Sequence, residues 1–138
     1  MTFELTPYAR AMGIAHAHFD DGLPVLVLPF EQIVVGRPGT LHGGATSGLL
    51  ETAGYAALRT ELDRAGRLAR LKPINVTVQF LSAARPEPTY AIGRVTRMGR
   101  RNANIDVEAW QHDRYRPIAT AVMNVLMIDE SRADDAAG

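Results

Sequence analysis

Between Gly43 and Asp63 the chain carries a helical pattern that is small or apolar on almost every side of its axis. Ala45, Leu49, Leu50, Ala53, Ala56, Ala57 and Leu58 together surround its first half. A helix of that kind is stable only when buried all round, and one flat sheet covers a single stripe of it. The remaining segments therefore have to wrap it. Beyond Leu58 the segment "RTELDRAGR" turns charged and stops near Gly66. Ahead of it, Thr6 and Pro7 open a short helix that Gly13 closes. An apolar strand follows in "PVLVLPF", and Gly36, Pro38 and Gly39 then supply turn chemistry. After Gly66 the period changes to two. In "INVTVQFL", Val76, Val78 and Phe80 share one face while Asn75, Thr77 and Gln79 share the other. "TYAIGRVTRM", "NANIDVEAWQ" and "PIATAVMNVLMI" read as three more strands, separated by "GRR" and "HDRYR" turns. Short links between successive strands imply antiparallel pairing. The expected order is a helix, a strand, the long helix and four strands. This is an α+β fold with a curled antiparallel sheet around one central helix.

At 138 residues the chain suits one domain, expected over 1–130, with the small, charged stretch 131–138 as a fraying tail. Its net charge of zero gives no case for a nucleic acid or an acidic membrane as partner. Fourteen arginines stand against the single Lys72, a bias that fits either phosphate recognition or the base composition of a gene. Without cysteine there is no disulfide framework, thiol nucleophile or zinc–cysteine site. No signal-peptide pattern opens the sequence and no apolar run reaches the length of a membrane span, so a soluble, cytoplasmic protein is expected. His16 and His18 have strand spacing that puts both rings on one side, but no third ligand accompanies them, and no metal site is expected.

The least ordinary stretch is "GRPGTLHGGATSGLLE", residues 36–51. Gly43 and Gly44 at a helix start leave N–H groups that lack intrahelical partners, at the positive end of the macrodipole. Such a place either accepts an anion or a developing oxyanion, or simply lets the helix pack closely against a strand. A nucleotide P-loop is excluded, because neither Gly-Lys-Ser/Thr nor a parallel βαβ unit is present. Glu51 is the one acid in the apolar part of the helix. Its neighbours three and four residues away are Ser47, Gly48, Gly54 and Tyr55, none of them cationic. Desolvation of such an acid has no local compensation, so it either pairs with a distant arginine, lies on a solvated stripe, or serves chemistry. Gly43 and Glu51 are separated by roughly 12 Å of helix. One reacting carbonyl cannot touch both within a chain. If they cooperate, a two-fold axis has to bring together two chains.

These residues resemble the hotdog-fold acyl-coenzyme A thioesterases of the phenylacetate-pathway type, within the wider 4-hydroxybenzoyl-coenzyme A thioesterase superfamily. The similar pattern is His42-Gly43-Gly44 followed, nine residues after the histidine, by Glu51 on the central helix. The lead-in "GRPGTLHGG", the strand "VTVQFLSAA" and the "GRR" turn extend the likeness over nearly the whole chain. The resemblance implies a homodimer, paired again into a tetramer. It implies hydrolysis of an acyl-coenzyme A thioester, with coenzyme A as part of the substrate and no separate cofactor. The Gly43 N–H would polarise the carbonyl, His42 would help hold the turn, and Glu51 of the other subunit would act as nucleophile or general base. Gly44, Phe80 and Ser82 would line the substrate path. Arg97, Arg100 and Arg101 would border the coenzyme A phosphates, Arg100 foremost. The pattern departs from the family at Gly36, where relatives often carry Asn or Gln, and a polar residue on the strand after the helix has only Asn75 or Thr77 as counterpart. Tyr55 is a candidate to supply a hydroxyl instead. The alternatives are a hotdog protein that binds acyl-coenzyme A without cleaving it, or a dehydratase or hydratase.

Overall fold

The computed structural model describes residues 4–130, and the tail expected at 131–138 lies outside them. Helix α1 (Pro7–Met12) is capped by the Thr6 hydroxyl, which accepts from the Ala9 N–H at 3.1 Å, and ends on Gly13 at φ +85°. Strands β1 (Ala15–Asp20) and β2 (Leu23–Leu28) form a hairpin. A single 3₁₀ turn (Gln32–Val34) leads to the central helix α2 (Gly43–Arg64). Strands β3 (Ala69–Phe80), β4 (Thr89–Met98), β5 (Asn102–Trp110) and β6 (Ala119–Asp129) follow. All six strands make one antiparallel sheet in the order β1-β2-β4-β5-β6-β3. It curls around α2 as the helix pattern requires: a hotdog fold, α+β. Among the described residues, no helix is long and apolar enough to cross a membrane.

The inner face of the sheet presents Leu26, Leu28, Ala91, Ile105, Met123 and Val125 to Leu49, Leu50, Ala53 and Leu58 of α2. Small residues set how closely the two layers meet. A Cβ on Gly93 of β4 would stand 2.9 Å from the Ala53 carbonyl oxygen and 3.0 Å from the Gly54 Cα. Backbone cannot retreat from such a contact as a flexible side chain can. Gly93→Val is expected to destabilise the fold by about 1–3 kcal/mol through overpacking, seen as a lower urea midpoint; an unchanged midpoint would mean that the layers can separate freely.

Three features differ from the sequence expectation. The sheet has a strand more than expected before α2: β1 carries exposed residues at nearly every position, so it lacks the apolar alternation that reveals a strand. Strand β3 starts at Ala69, five residues ahead of "INVTVQFL". The missed part, "ARLKP", contains charged residues and a proline that suit a sheet edge, and the register shifts between Pro73 and Asn75. The third concerns His16 and His18. A bulge between them sets His16 opposite Leu26 and His18 opposite the adjacent Val25, so they do not share a side.

Candidate active site

The turn before α2 is built by its sequence. Thr40 N–H donates to the Arg37 carbonyl at 2.9 Å, with Pro38 and Gly39 at the corner and Gly39 at φ +73°, which is a type II turn. Gly36 N–H then donates to the Thr40 carbonyl at 2.9 Å, and Val35 bridges to Leu41. This folding presses Gly36 against His42: a Cβ at position 36 would lie 3.0 Å from the His42 Cα. At Gly36, where relatives often carry an amide, a side chain would push on the residue that caps the helix.

His42 is that cap. Its Nδ1 accepts from the Gly44 N–H at 2.9 Å, and its carbonyl accepts from Ala45 and Thr46. A ring that accepts at Nδ1 and remains neutral carries its proton on Nε2. A Cβ on Gly44 would be 2.9 Å from that Nδ1, so glycine there makes room for the ring. With the next three N–H groups taken, the Gly43 N–H alone at the helix start has no acceptor among the described residues. Gly43 is exposed and opens on a cavity of about 380 Å³ that includes Thr40, Thr46, Phe80 and Ser82. Phe80 is 59% exposed and stands beside Gly43, where a Cβ would meet its ring at 3.5 Å. The arrangement is a positive, glycine-lined N–H donor beside an apolar wall.

Glu51 faces a different cavity. The stripe Gly48, Glu51, Thr52, Tyr55, Ala56 and Arg59 of α2 lines a space of about 340 Å³ with Leu71 of β3 and with Glu4, Leu5, Thr6 and Tyr8. Glu51 is half-buried within the chain, so its full withdrawal from water needs a second surface. The glycine and carboxylate cavities share no residue. Tyr55, one turn on from Glu51, has its phenol pKa raised above 10.0, first by burial and then by the Glu51 charge. It therefore remains a neutral hydroxyl beside the carboxylate. Spectrophotometric titration should place Tyr55 above the ordinary phenol value of 10.0, and Glu51→Gln should bring it part of the way down. A Tyr55 titration indifferent to Glu51 would separate the two side chains.

The arginines of the "GRR" turn gather elsewhere. Arg97, Arg100 and Arg101 surround a cavity of about 470 Å³ with Asn102, Asn104 and Asn124. Arg67 braces the turn by donating to the Gly99 and Arg100 carbonyls at 2.9 and 2.7 Å, while pairing with Asp129. Asn75 joins this region and not the α2 stripe: Asn104 donates to Asn124, and Asn124 donates to Asn75 at 2.6 Å, forming a ladder across β5, β6 and β3. Met123 and Val125 on either side of Asn124 face the core, so the ladder is on the outer face of the sheet.

A family model described as the thioesterase superfamily matches residues 38–118, from the glycine turn into the approach to β6. The chain belongs to the thioesterase superfamily. Solved structures agree with this thioesterase over most of its length. A protein from Chromobacterium violaceum is 31% identical, with 87% of this chain and 82% of that chain covered at a TM-score of 0.68. A mutant thioesterase from Pseudomonas aeruginosa (22% identity, 89% and 86% covered, TM-score 0.75) shares the fold. So does a thioesterase family protein from Silicibacter pomeroyi (23% identity, 91% of each chain, TM-score 0.74). Comparison with curated proteins gives no match.

Several residues of the thioesterase's Glu51 cavity were not anticipated. Tyr8 of α1 reaches over Gly48, where a Cβ would come within 2.7 Å of its hydroxyl oxygen. Leu5, Leu71 and Arg59 complete the wall. Arg59 had a signal available, since Glu51, Tyr55 and Arg59 recur at four-residue spacing and therefore share a helix face. Tyr8, Leu5 and Leu71 had none, as they arrive from separate elements.

Proposed function

We propose that this thioesterase hydrolyses acyl-coenzyme A thioesters at a site assembled from two subunits. The observation that carries the reading is the division of the helix: a free N–H donor at Gly43 and a carboxylate at Glu51 open on separate cavities of one chain. Strand β3 suggests how they meet. It is a long edge strand with one side unpaired, and Ile74, Phe80 and Leu81 are exposed along or beside it. Its two ends mark the two cavities, with Phe80 beside Gly43 and Leu71 beside the Glu51 stripe. If two copies pair their β3 edges antiparallel about its middle, Phe80 comes opposite Ala69 of the partner subunit, two residues from the partner's Leu71. Each glycine cavity is then set against the carboxylate cavity of the other chain. The same pairing would cover the exposed apolar groups and the open edge. A second pairing of dimers into a tetramer is part of the proposal.

In this site the Gly43 N–H, at the positive end of α2, receives the thioester oxygen as negative charge develops on it. Glu51 then acts in one of two ways. As general base it takes a proton from water while the water oxygen bonds to the carbonyl carbon. As nucleophile it bonds to that carbon itself, giving an anhydride that water later opens. In both routes the C–S bond breaks with its electron pair leaving on sulfur, and thiolate is a good leaving group. His42 holds the turn through Nδ1 and is not free at that nitrogen to serve as a base, which weighs against a hydratase or dehydratase. Phe80 and Ser82 flank the pantetheine path, and Arg97, Arg100 and Arg101 offer guanidinium groups for the phosphates. The test is thiol release from short, medium and aromatic acyl-coenzyme A esters. Binding without release would leave a carrier in place of an enzyme.

A further inference from the structure

The Glu51 cavity contains one group for which hydrolysis has no use. Arg59 lies eight residues beyond Glu51 on the same stripe of α2, roughly 12 Å along the axis. Among the described residues three arginines are half-buried: Arg59, Arg67 and Arg114. Two of them are neutralised, Arg67 by Asp129 and Arg114 by Glu108 and Asp20. Arg59 has no carboxylate partner among the described residues. Its Nη1 donates to the Ala69 carbonyl at 2.7 Å, which ties the guanidinium to the start of β3 and leaves further donors on its fork. Glu4 is on the rim of the same cavity, but it is exposed and makes no ion pair with Arg59.

A cation partly withdrawn from water and held in one place favours an anion from the ligand. The wall between the two charges is formed by Tyr55, Ala56 and Leu71, an apolar run with one neutral hydroxyl. We propose that Arg59 reads the far end of the acyl group, and that the preferred substrates are coenzyme A thioesters whose acyl chain ends in a carboxylate. The thioester carbonyl would face Glu51, the methylene or ring portion would lie along Ala56 and Leu71, and the terminal carboxylate would meet the guanidinium fork. This inference rests on Glu51 being the hydrolytic carboxylate.

Adipoyl- and hexanoyl-coenzyme A test it, since they have the same carbon count and differ only at the acyl terminus. The wild type should show the higher kcat/KM on adipoyl-coenzyme A. Arg59→Met should lower that value by about 10- to 100-fold, the loss of one charged hydrogen-bonded pair, with hexanoyl-coenzyme A hydrolysis nearly unchanged. Arg59→Lys should recover part of the adipoyl activity, which a merely structural role for Arg59 does not predict. A wild-type preference for hexanoyl, or an equal fall on both esters in Arg59→Met, overturns the proposal while the hydrolytic reading stands. If the Met variant fails to fold, the wild-type preference and the Lys variant decide. If the wild type cleaves neither ester, the hydrolytic reading fails separately. Equilibrium binding of the two esters then decides: tighter adipoyl binding that depends on Arg59 supports the proposal, and equal binding overturns it.

Discussion

Glu51→Gln is expected to lower kcat for thiol release by about 100- to 10,000-fold, the range associated with loss of a positioned general base. Glutamine preserves the length and shape of the side chain and removes its basicity and its competence as a nucleophile. The substitution falls on the cavity-lining stripe of α2, where Glu51 makes no ion pair among the described residues. With no ion pair to lose and the side chain's shape kept, stability should move by less than about 1 kcal/mol, and KM should change much less than kcat. Unfolding midpoints and steady-state thiol release read both quantities on one preparation. A fall smaller than about tenfold would shift the chemistry away from Glu51, and Glu4, the other acid on that cavity, would be next to examine. In a single turnover in heavy-oxygen water, label on Glu51 identifies the nucleophilic route. An anhydride opened at the Glu51 carboxyl carbon leaves label on the enzyme, whereas direct attack by water leaves it only on the released acid.

What the sequence discloses about this site follows from how local each feature is. The turn at Pro38–Gly39 and the course of α2 are written in neighbouring residues, whereas His42 is not a common capping residue and only the structure shows its Nδ1 accepting from the Gly44 N–H. The twelve-ångström separation of Gly43 from Glu51 is likewise a matter of counting along one helix. The wall of the Glu51 cavity is not local. Tyr8 reaches it because α1 packs beside Gly48, and Leu71 reaches it because β3 begins five residues earlier than its apolar alternation. The hidden start of β3 has a physical cause: an edge strand that tolerates Arg70, Lys72 and Pro73 does not look like a strand. Asn75 shows the same limit from the other side. Alternation correctly separates it from Val76 and Val78, but only the pairing of β3 with β6 reveals that its side chain meets Asn124 on the outer face.

Gly43→Pro is expected to remove the oxyanion donor while leaving the helix in place, and to lower kcat by about 100- to 1,000-fold. Proline is well suited to the first position of a helix, because the N–H it lacks has no intrahelical partner there. The residue before it must be extended, and His42 already is, at φ −63° and ψ 134°. A Cβ at Gly43 meets the Phe80 ring at 3.5 Å, an ordinary contact. Gly43→Ala, which keeps the N–H and adds the same carbon, should retain most of the activity. Equal losses in the two variants would point to crowding by Phe80 and away from the missing donor. Mixing then tests whether the site is shared. Each variant is inactive alone, but a dimer of one Glu51→Gln chain and one Gly43→Pro chain holds one intact site, made from the first chain's Gly43 and the second chain's Glu51. Random reassortment of equal amounts should restore about a quarter of wild-type activity. If each site instead lay within one chain, no combination would be intact, and the mixture would stay as inactive as its parts.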